Sequence, residues 1–140
     1  MKTTAVAGVL LTLLAVRLTT AQAAGDDGDR IEGAWVVSSG EKAGRQAPDG
    51  GLKDVTLTFR GDRFTWTAGG RETRGTFSID PARSPRRITM SAGGKTLAGI
   101  YRLDGDALTV CARHGDDPPR DFATRDGEKA VLLVLKRRTP

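Results

Sequence analysis

The chain has 140 residues, with 22 Lys and Arg against 17 Asp and Glu, one His and one Cys. That length suits a single domain with a real core. One Cys excludes an internal disulfide, one Cys plus one His excludes a zinc site built from several such ligands, and the mixed charge argues against nucleic acid as a partner.

The first residues read as an export signal. Lys2 supplies a positive start, Ala5 to Val16 is apolar but for Gly8 and Thr12, and Ala21-Gln22-Ala23 offers the small-x-small cleavage pattern, with Ala24 an alternative end. Twelve residues before Arg17 are too few to span a bilayer, which needs about 20, so no stable membrane insertion is expected after cleavage. No Cys lies near the cleavage site, which excludes a lipid-anchored version. Residues 1–24 are thus assigned to the signal. Removing Lys2 and Arg17 leaves 20 basic residues against 17 acids, a net charge of +3.

Residues 25–30 (Gly-Asp-Asp-Gly-Asp-Arg) are expected to form a flexible polar linker. Three acids in so short a run invite a calcium reading, but the closing Glu of an EF-hand loop is missing. From Ile31 to Arg138 the hydrophobic period is 2, which is the period of strands.

A first strand is expected over Ala34 to Ser39, followed by a loop rich in Gly with Pro48. Val55, Leu57 and Phe59 then share one face. Gly61-Asp62 reads as a two-residue type II′ hairpin, which places Phe59 opposite Phe64 and Leu57 opposite Trp66. Gly69-Gly70 makes the next turn, and Phe77 and Ile79 stay in phase along the strand from Thr73. Pro81 and Pro85 end that strand. Ile88 and Met90 alternate in the next, which turns at Gly93-Gly94.

The Gly-Asp template is then written again. Leu97, Gly99, Tyr101 and Leu103 lead into Gly105-Asp106 and return through Leu108, Val110 and Ala112. Tyr101 should therefore face Val110, and Leu103 face Leu108. Residues 114–129 form the longest break, with Pro118-Pro119 at its centre, and loops of this length include binding loops and lids as well as plain surface excursions. The last strand, Ala130 to Arg137, is apolar on both faces and belongs where both are covered, or where a sheet closes. Eight short strands in a meander predict an all-β fold, an antiparallel up-and-down eight-stranded barrel over residues 31–138.

Gly33-Ala34-Trp35 resembles the Gly-x-Trp signature of lipocalin-like barrels. That resemblance implies a Trp that plugs one barrel end, with a late Arg, Arg137 or Arg138, packed over it. The run Gly33 to Ser39, the two Gly-Asp hairpins and the closing Val131 to Arg137 together resemble a small exported domain family expanded in planctomycete bacteria. The match covers about Ile31 to Arg138. The family is described as a domain of unknown function, so it implies a fold and a cell-envelope setting and no catalytic residue.

The residues themselves offer little catalysis, and no catalytic residue, metal ligand or cofactor is assigned. Cys111 and His114 are three apart, an odd offset that puts them on opposite faces of a strand. The pairs Asp104/Asp106 and Asp116/Asp117 sit in turn-forming stretches, where Asp makes local hydrogen bonds. Arg60-Gly61-Asp62 matches an adhesion tripeptide, but Asp104-Gly105-Asp106 shows that the hairpin alone accounts for Gly-Asp.

Two non-catalytic readings follow for a protein exported to the periplasm or beyond the cell. Trp66, Phe77, Met90 and Tyr101 are the large inward candidates to line a cavity for a small apolar ligand, with the Tyr101 hydroxyl to orient it. Alternatively they fill a solid core, and the second-face stripe of Ile100, Cys111, Leu132 and Val134 docks an envelope protein as an interaction module.

Overall fold

The computed structural model describes residues 22–48, 52 and 54–138. Residues 1–21, which carry most of the expected export signal, lie outside the described set. The elements in chain order are α1 (Gln22–Ile31), β1 (Gly33–Lys42), β2 (Arg45–Gln46), β3 (Thr56–Arg60), β4 (Arg63–Ala68), β5 (Arg71–Asp80), β6 (Arg87–Ala92), β7 (Lys95–Asp104), β8 (Ala107–His114) and β9 (Val131–Arg137). Each strand from β4 to β9 pairs antiparallel with its predecessor, and β1 pairs with both β3 and β9. The protein is therefore a closed eight-stranded up-and-down barrel, with β2 a two-residue appendage on β1. The expected pairs Leu57–Trp66, Phe59–Phe64, Tyr101–Val110 and Leu103–Leu108 are all in register.

Turn chemistry sorts the two barrel ends. Gly61 and Gly105 have φ of +62° and +58°, while the Asp after each stays at negative φ, which is the type II′ pattern. Both turns lie at the end where α1 sits. The Gly69-Gly70 and Gly93-Gly94 turns, with positive φ at both residues, lie at the opposite end.

Two local irregularities let the barrel close. The β1–β9 register shifts between Val37 and Ser39, a bulge that bends β1 so that it can serve both neighbours. In β5, Arg71 to Thr76 pairs with β4, while Thr76 to Asp80 pairs with β6. Gly75 sits at this changeover, and a Cβ there would collide with the Ser91 carbonyl oxygen and meet Phe64 Cε1 at 2.7 Å. Only glycine allows the backbones to come so close.

Alternation places one continuous apolar cluster inside, including Trp35, Phe59, Phe64, Ile88, Leu108 and Leu135. A second, smaller cluster lies outside the wall. There Ile100, Cys111 and Ala130 are buried beneath Phe122 from the segment between β8 and β9. That segment is a strap: Arg102 lies 4.9 Å from the Phe122 ring centroid, and the Thr124 hydroxyl donates to Glu41 at 2.6 Å and accepts from the Gly44 amide at 3.0 Å.

Residues 25–30 depart from the expected linker. They belong to α1, which closes one end of the barrel. Gly25 and Gly28 make this a poor helix by propensity, and tertiary anchoring overrides them. Ile31 and Asp27 are fully buried, whereas Asp29 is exposed, so these two acids do not converge on one site.

Candidate functional site

The closed end is built around Trp35 and Asp27. Trp35 is fully buried on β1, and its indole N–H donates to the Ile31 carbonyl at 2.8 Å. Arg137, at the end of β9, stacks 4.3 Å from the Trp35 ring centroid. Its guanidinium donates to the Glu32 carbonyl at 2.9 Å and to the Arg30 carbonyl. These donors satisfy the carbonyls that a helix C-terminus leaves unpaired, and the positive charge suits that end of the helix dipole. Arg137, not Arg138, is the residue over the Trp.

Asp27 points from α1 toward the barrel wall. Its carboxylate accepts from the Tyr101 hydroxyl at 2.7 Å and from Arg86 at 3.0 and 3.2 Å, with Arg30 at 3.7 Å. Burial, then the bond to the Asp27 carboxylate, pushes the Tyr101 phenol far above the ordinary tyrosine range. Nothing in this cluster is free to receive a ligand. It is a clasp that locks the helix to β7 and to the β5–β6 connection.

The other half of the barrel is not filled. A cavity of about 360 Å³ lies there, walled by Leu57, Phe64, Trp66, Met90, Val110 and Leu133. That volume falls at the lower end of small-molecule sites, roughly 300–1,000 Å³. Its walls are almost wholly apolar, and its polar groups gather at the rim with Lys95, Arg113, His114 and Lys129.

Of the four expected cavity residues, Trp66 and Met90 line it, and Phe77 and Tyr101 do not. Phe77 lies edge-on to Phe59, with ring centroids 4.6 Å apart, in the filled half. Tyr101 is buried and its hydroxyl is committed to Asp27. The reason is geometric: alternation tells which face a residue takes, but its height along the barrel axis depends on strand stagger. Leu57, Phe64, Val110 and Leu133 follow from the same register once height is known.

Asp27 is the residue that sequence reasoning missed, because an acid in a run of Gly and Asp gives no signal of burial. His114 ends β8 rather than lying in a loop and faces the cavity rim, while Cys111 is sealed outside the wall beneath the strap. The two are indeed on opposite faces. Comparison of the chain with protein-family models, curated proteins and solved structures finds no match.

Proposed function

We propose that this protein is a non-catalytic carrier that holds one small apolar molecule in the unfilled half of its barrel. The observation that carries the reading is the cavity of about 360 Å³. Among the described residues, its walls offer aliphatic and aromatic groups and no acid. At roughly 25 cal/mol per Å² of apolar surface removed from water, such walls favour a hydrocarbon ligand. The Ala21-Gln22-Ala23 pattern supports export as the setting.

The alternative, a docking module, drew its support from the outer apolar stripe. Phe122 and Leu132 pack against Ile100 and Cys111 in the folded chain, so of that stripe only Val134, half-buried, stands outside this cluster, which weakens the support for docking.

Calorimetric titration with a neutral probe, dodecanol, tests the proposal. Saturable binding at one molecule per chain is expected. Ala112→Phe and Leu97→Phe, which place bulk at the lining, should each weaken it at least roughly tenfold while circular dichroism stays unchanged. No saturable heat in the parent protein, or equal binding by both filled variants, would overturn it.

A further inference from the structure

The open end of the barrel carries one sign of charge on its inner rows. Cross-strand partners share a face, so the inward rows can be followed to the rim. On β7 the row Leu103, Tyr101, Gly99, Leu97 ends at Lys95. On β8 the row Leu108, Val110, Ala112 ends at His114, which pairs with Leu97. On β9 the row Leu135, Leu133, Val131 continues two residues back to Lys129. On β5, Arg71 pairs with inward Ala68, and past the β1 bulge Lys42 pairs with Val131. Five inner rows thus finish in a basic residue at the rim, and none of these five finishes in an acid.

These groups are also available. Among the described residues, none of Lys42, Arg71, Lys95, His114 and Lys129 has a carboxylate oxygen within 4.0 Å. The nearby acids lie off the inner rows and several are engaged there: Glu72 with Arg74, Asp117 with Arg113, Glu128 with Arg125, and Glu41 with Thr124. Asp116 stands on the strap. Four of the described cations that have no carboxylate partner, Lys42, Arg71, Lys95 and Lys129, thus stand with His114 around the mouth of an apolar cavity.

Resting on the carrier reading above, we propose that the ligand is an anionic amphiphile, a single-chain fatty carboxylate. The tail enters between Trp66, Met90 and Leu133, and the carboxylate stays at the rim among Lys95, His114 and Lys129. Hydrogen bonds from cations to a carboxylate are about twice as strong as neutral ones, so the rim selects the head group while the cavity holds the tail. At roughly 30 Å³ for a water-sized group, the cavity accepts about a dozen carbons.

The test compares dodecanoate, dodecanol and dodecyltrimethylammonium by titration calorimetry on the delipidated protein, at low and at high salt. Dodecanoate should bind roughly tenfold tighter than dodecanol at low salt, and the ratio should shrink at high salt as the rim charges are screened. It should also shrink toward one in the double variant Lys95→Gln/Lys129→Gln and in Arg71→Gln/Lys129→Gln. Lys136→Gln, at the opposite end, should keep it. Affinity should rise about fourfold per added methylene up to the cavity's length and then level off. Equal binding of dodecanoate and dodecanol, or tighter binding of the ammonium, would overturn the head-group assignment and leave the carrier reading standing. Binding of none of the three would overturn both.

Discussion

The Tyr101 hydroxyl donates a 2.7 Å hydrogen bond to Oδ2 of Asp27, tying the wall of the barrel to the helix that closes its end. With Arg86 on the same carboxylate, this bond explains how a glycine-containing helix of ten residues keeps a fixed place. Asp27→Ala would leave the buried Tyr101 hydroxyl unpartnered and Arg86 without its anion. It should lower unfolding stability by about 3 kcal/mol, measured by urea denaturation. Tyr101→Phe, which leaves Asp27 paired with Arg86, should cost only about 1–2 kcal/mol. Equal losses in the two variants would contradict the clasp.

Tyr101 is the only tyrosine, so its ionisation is directly visible. The folded protein holds the phenolic proton above pH 10, where the unfolded chain releases it. The native state then binds more protons, so the stability from this group is complete below about pH 10 and falls as pH rises further. Tyrosinate absorbance should stay flat past the ordinary tyrosine midpoint and rise only together with loss of the sheet signal in circular dichroism. In Asp27→Asn the rise should begin at lower pH. A normal titration in the folded protein would refute the burial of this hydroxyl.

Much of this was legible in the residues, and the illegible part has a physical pattern. Period-2 alternation and two Gly-Asp turns give the strands, their register and the barrel, because those depend on neighbours in sequence. Trp66 and Met90 were identified as cavity lining for the same reason. Phe77 and Tyr101 fail as lining because strand stagger, a property of the closed barrel, sets how far along the axis each stands. The helix at 25–30 was invisible since its stability comes from Asp27 and Ile31 meeting residues far along the chain.

Arg137 serves the helix end through two carbonyls and the Trp35 face. Arg137→Ala should lower stability by roughly 2–3 kcal/mol in thermal or urea unfolding, given partial exposure of the side chain. Arg137→Lys should recover less than half of that, because an ammonium lacks the planar fork that reaches both carbonyls while stacked. Full rescue by Lys would show that charge alone matters there.

Cys111 reports on the strap. Burial beneath Phe122 pushes its thiol up from the ordinary cysteine value, and the Sγ lies 3.8 Å from the Ala123 carbonyl. An aromatic disulfide reagent should label it slowly, through opening of the strap. Phe122→Ala should raise that rate at least about tenfold, equivalent to ~1.4 kcal/mol less for opening. Unchanged labelling would mean that the thiol is reached by another route.

The most direct test of the carrier account is native mass spectrometry of the protein purified from its own host. The account predicts a population heavier than the bare chain by one small molecule, lost on organic extraction and missing in Ala112→Phe. A bare mass for the parent protein, together with no saturable heat on adding dodecanol, would contradict it.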